Sequence, residues 1–66
     1  MTDEIKNRMI EEINVWIELA FDEYNENGRS EWYNRTIDRI NGMVKMLSIA
    51  TSSRWIFDKH GVYEKG

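Results

Sequence analysis

Apolar residues recur along this chain at intervals of three and four, with polar residues between them. In the first part these positions are Ile5, Met9, Ile10, Ile13, Trp16, Ile17, Ala20, Phe21 and Tyr24. At 100° per residue they fall on one broad helical face. Strand alternation fails here, because Glu11-Glu12 and Asp22-Glu23 interrupt it. Val15 and Leu19 lie beside the stripe and widen it beyond what one partner helix covers. Thr2 can cap the N-terminus, and Asp3 and Glu4 suit the helix dipole. Glu4 and Arg8 have the spacing and order of a favourable i,i+4 pair.

Asn25, Asn27 and Gly28 end this helix, with Gly28 expected as a left-handed cap residue. Ser30 can cap the next helix, whose first-turn Glu31 suits the dipole and pairs with Arg35. The second apolar face is Trp32, Tyr33, Ile37, Ile40, Met43, Val44, Leu47 and Ala50. It keeps its phase across Asn41-Gly42. Gly42 therefore reads as an in-helix glycine that permits a close approach, at about 1 kcal/mol relative to alanine. A connection as short as residues 27–30 makes the two helices antiparallel neighbours.

Thr51-Ser52-Ser53 weakens the second helix. Two continuations follow. Ser53 caps a short third helix holding Trp55, Ile56 and Phe57 and ended by Gly61, or the second helix runs on, with a kink, to about Lys59. Continuation is preferred, because so few residues cannot fold independently. The expected architecture is all-α, one domain over residues 1–66. It has a helix at about 3–26, a turn at 27–30, a helix at about 31–59 and a loose tail at 60–66, from which Tyr63 can fold back onto the bundle. Two helices cannot bury stripes this wide against each other. The hairpins are therefore expected to assemble into an oligomeric helical bundle.

Composition narrows the classes. Sixty-six residues sit near the lower limit for independent stability, and without cysteine no disulfide or thiolate metal site reinforces the fold. Proline is absent, which suits long helices. No segment approaches the roughly 18 apolar residues of a membrane span. The start, Met1-Thr2-Asp3-Glu4, is acidic where a signal peptide is basic. These features predict a cytoplasmic protein without membrane contact. The net charge of -3 hides an asymmetry. Residues 1–27 carry eight acids against Lys6 and Arg8, and residues 28–66 carry seven bases against four acids. Either the helices attract one another, or the second offers a basic surface to an anionic ligand.

Candidate chemistry is sparse. His60, with Asp58 and Glu64 nearby, is too poor a set for a transition-metal site and reads as an exposed or helix-capping histidine. Ser52 and Ser53 have no base beyond that histidine and no glycine-rich nucleophile turn. The paired acids read as a solvated face. No enzyme activity, cofactor or metal is expected. Arg54-Trp55 carries the sharper signal: a fork-shaped phosphate binder beside a stacking surface, just after Thr51, Ser52 and Ser53. The plainer explanation is a helix end with a dipole-favoured arginine and a tryptophan closing the core.

Trp32 to Thr51 resembles the second hairpin helix of small phage proteins that sequester cyclic nucleotide immune signals, the sponges that counter CBASS and Thoeris defences. The likeness rests on Trp32 opening the helix, Ile40-Asn41 two turns later, and the run Gly42, Met43, Val44, Leu47, Ser48 and Ala50. The preceding acidic helix and short turn fit the same layout. The likeness covers about a third of the chain, which departs from the pattern at Ile49 and over Trp55–Gly66. It implies an oligomer of hairpins that binds a cyclic nucleotide between protomers without hydrolysing it. Thr51 and Arg54 then contact ligand phosphates or hydroxyls, Trp55 covers a base, and Arg35 or Arg39 adds charge from a neighbouring protomer.

Two functions are therefore expected to compete. One is a non-enzymatic oligomer that sequesters a small anionic nucleotide immune signal and so counteracts host antiphage defence. The alternative is a dimeric helical interaction module or inhibitor that binds a protein partner through its apolar and acidic face. Double-stranded DNA is not an expected partner, because the chain is acidic and its bases are scattered.

Overall fold

A computed structural model describes residues 2–65 of the chain. Two long helices, α1 (Asp3–Asn27) and α2 (Glu31–Thr51), are followed by two short strands, β1 (Trp55–Asp58) and β2 (Gly61–Glu64). Both helices start as their capping residues dictate. The Thr2 hydroxyl accepts from the Ile5 N–H at 3.2 Å, and the Ser30 hydroxyl accepts from the Tyr33 N–H at 3.1 Å. Gly28 closes α1 with φ 66° and ψ -145°, a conformation open to glycine, and its N–H donates to the Tyr24 carbonyl. The Glu31–Arg35 pair forms at 2.6 Å, whereas Glu4–Arg8 is not among the ion pairs of the described residues.

The core lies where the stripes meet. Ile13, Ile17 and Ala20 of α1 pack with Ile40, Val44 and Leu47 of α2, and Thr36 of α2 is also buried. Burying a large aliphatic side chain contributes about 1.5–3 kcal/mol, so these contacts hold the antiparallel hairpin closed.

The C-terminal segment differs from the all-α expectation. Residues 55–64 form neither a third helix nor an extension of α2 to Lys59, but an antiparallel β-hairpin. Phe57 pairs with Val62 and Trp55 with Glu64. The reason is geometric. Thr51 lies level with Asp3 and Lys6, at the very start of α1. A helix continuing past this point would have no neighbour, and Trp55, Ile56 and Phe57 would stand in water. Instead Ser52 turns the chain with φ 54° and ψ 32°. The Ser48 hydroxyl then receives the Trp55 N–H at 3.1 Å and starts the strand. Folded back, Trp55, Phe57 and Val62 pack against the helical core. Asp58-Lys59-His60-Gly61 makes the turn, with the Asp58 carboxylate accepting the His60 N–H at 2.7 Å. Asp at the first and Gly at the fourth position are the preferences of a type I turn.

Candidate functional site

The β-hairpin covers only one side of the helical hairpin. Its attachment points are Asn14, whose side-chain oxygen accepts the Val62 N–H at 2.9 Å, and Ser48. Trp16 and Met46 each stand two residues from these points, so at 100° per residue they point to the opposite side of their helices. That opposite side is uncovered. Trp32 is 45% exposed, Leu19 45% and Met46 60%. Ile5 extends the strip at the N-terminal end of α1.

Its middle is an aromatic and cationic cleft of about 180 Å³, lined by Trp16, Trp32, Arg35, Thr36 and Arg39. The Arg39 guanidinium lies 5.0 Å from the Trp16 ring centre, a cation–π distance. Glu12 accepts the Trp16 indole N–H at 3.3 Å, so the ring is held on both flanks. Nearer the N-terminus of α1 the strip becomes an apolar groove of about 270 Å³ between Met9, Ile13, Met43 and Met46. Gly42 lies at its edge, and a Cβ built there meets nothing within 4 Å. The expected close approach at Gly42 is therefore not one between the two helices of this chain. At the turn end, Leu19 and Trp32 border Asp22, Glu23 and Glu26. Hydrogen bonds from Ser30, at 2.6 Å, and from Asn27, at 2.9 Å, hold the Glu23 carboxyl below its ordinary value of 4.5.

The expected site residues fall into two groups. Arg35 and Arg39 line the cleft, Arg35 also paired with the exposed Glu31. Thr51, Arg54 and Trp55 stand at the far end of α2, and Arg39 and Thr51 are about 18 Å apart along the helix. Thr51 and Trp55 are occupied with each other. The Trp55 indole donates to the Thr51 hydroxyl at 2.9 Å, and that hydroxyl donates to the Leu47 carbonyl at 2.8 Å. Trp55 also packs on the core, which leaves Arg54 as the exposed member of the trio. Trp16 and Trp32 were absent from the sequence-based site. The spacing Trp32, Arg35, Arg39, Met43 was the available signal, since these residues form one ridge of α2.

A wider cleft, about 520 Å³, lies on the covered side between α1 and the β-turn. Asn14, Glu18, Asp22, Asn25, Lys59 and His60 are among its lining residues. His60 is exposed there, in the hairpin turn and not at a helix end. Among the described residues no group of three His, Asp or Glu side chains is placed to hold a metal ion. No helix among them is long and apolar enough to cross a membrane. Compared with known proteins, the chain matches no family model, no curated protein and no solved structure.

Proposed function

We propose that this chain is a non-enzymatic interaction module that buries its uncovered strip against another protein surface. The observation carrying this reading is the composition of the strip: Met9, Trp16, Leu19, Trp32, Met43 and Met46 interleaved with Arg35 and Arg39. Tryptophan, methionine and arginine are the residue types enriched at interface centres, and Arg39 is already ordered on Trp16. The clefts along the strip are shallow, which suits docking against a second surface. The test is chemical cross-linking and co-purification from the native host, comparing the natural chain with Met46→Glu, a change at a side chain 60% exposed on the strip. The variant keeps the fold and loses the complex. An unchanged complex would place the working surface elsewhere.

A second reading has its own observation. Two arginines and two tryptophans around one cleft offer phosphate contacts and stacking surfaces to a small anionic nucleotide. With the sponge resemblance, this supports a protein that sequesters a nucleotide immune signal. Titration calorimetry with cyclic di- and trinucleotides and cyclic ADP-ribose isomers tests it. Loss of a charge-assisted arginine contact in Arg39→Ala or Arg54→Ala costs about 1.5–3 kcal/mol of binding if that arginine holds the ligand. Trp55→Ala is a poor probe, because it also removes the indole bond to Thr51 and part of the core. Absence of binding across the panel leaves the interaction reading alone.

A further inference from the structure

We propose that the uncovered strip docks on the same strip of a second copy of this chain, in one orientation. The two-fold axis runs parallel to the helices, so that α1 of each copy lies across α2 of the other. This rests on the interaction reading above and names its partner.

The strip has two chemically different edges. On α1 its charged residues are Glu12, Asp22, Glu23 and Glu26, and on α2 they are Arg39 and Arg35, the latter already paired with Glu31. A two-fold axis across the helices would lay α1 on α1 and α2 on α2. Carboxylates would then face carboxylates, and arginines would face arginines. An axis along the helices sets each acidic edge over the other copy's basic edge. Like-charge juxtaposition disfavours the first arrangement and complementarity favours the second.

Levels along the hairpin agree. Arg39 stands level with Trp16, as their contact shows. Glu12 is one turn from Trp16, about 6 Å along α1. Arg39 of one copy therefore reaches Glu12 of the other. Among the described residues Arg39 has no ion pair within its own chain, so its charge is available. The same superposition brings Met9 of the second copy over the groove beside Gly42, where a Cβ would meet nothing within 4 Å.

The exposed area points the same way. The chain presents 4903 Å² to solvent, about a tenth more than the roughly 4,400 Å² of a monomeric globular protein of its 7.9 kDa. One long face of a molecule measuring 37 × 18 × 16 Å is of the order that a standard interface takes from each partner, about 800 Å².

Sedimentation velocity of the natural chain, Arg39→Glu, Glu12→Arg and an equimolar mixture of the two variants tests the proposal. The natural chain dimerises, and each variant alone dimerises at least about tenfold more weakly. Mixing restores the dimer, because both contacts in the mixed pair are again opposite in charge. This rescue also separates a broken interface from a misfolded chain. A natural chain that stays monomeric at about 100 µM overturns the proposal. So does Arg39→Glu associating as tightly as the natural chain, or a mixture that remains monomeric. If the natural chain is monomeric while Met46→Glu still loses a co-purifying protein, self-docking fails and the interaction reading stands. If neither is seen, both fail.

Discussion

At the residue scale, Gly42 separates two kinds of stability. Within one chain its position meets only open space, so a methyl group there has nothing to displace. Gly42→Ala should raise the stability of the dilute monomer by about 0.5–1 kcal/mol, the ordinary gain in helix propensity. At high concentration the same methyl group would intrude on the proposed contact with a second copy, and association should weaken. Urea unfolding at low concentration and sedimentation at high concentration measure the two effects. Glu23 supports a second prediction. Its hydrogen bonds with Ser30 and Asn27 lower its folded pKa below the unfolded value. The stability they add is therefore complete above about pH 4.5 and is lost as the pH falls through the lowered value. Glu23→Gln keeps the shape without the charge. Its urea midpoint should fall less steeply than that of the natural chain below pH 4.5.

At the scale of elements, the β-hairpin is held by few bonds and by the half-buried Trp55, Phe57 and Val62 packed on the helical core. Its long-range polar tie is the bond from the Val62 N–H to Asn14, which spans 48 positions of sequence. Asn14→Ala should cost about 1 kcal/mol and speed amide exchange at Val62 more than at Ile40. Equal exchange changes at both sites would mean that the hairpin and the helices open together. Gly61 stands at the same junction with φ 134°, and a Cβ there would lie 2.9 Å from the Asn14 oxygen. Both backbone and space therefore require glycine at this turn. The hairpin was hard to read in advance because Trp55-Ile56-Phe57 is apolar without alternation, and a helix or a strand fits so short a run. The Asp58 and Gly61 spacing was the local sign of the turn.

At the scale of the whole molecule, one side of a helical pair is covered by the chain's own C-terminus and the other is left open. The helices, their caps and their antiparallel order were legible in the sequence, because each follows from contacts within a few residues. The surplus of apolar surface was legible too, since a stripe wider than one neighbour can be counted along a single helix. Which side carried the surplus was not. Trp16 and Arg39 are far apart in sequence and meet only because the two helices pair at one level. Thr51 and Trp55, which looked like ligand groups, became partners once α2 ended level with the start of α1. Periodicity and capping are local and belong to the sequence alone. Levels, sides and the fate of the last residues are set by packing between distant segments, and tertiary structure alone decided them.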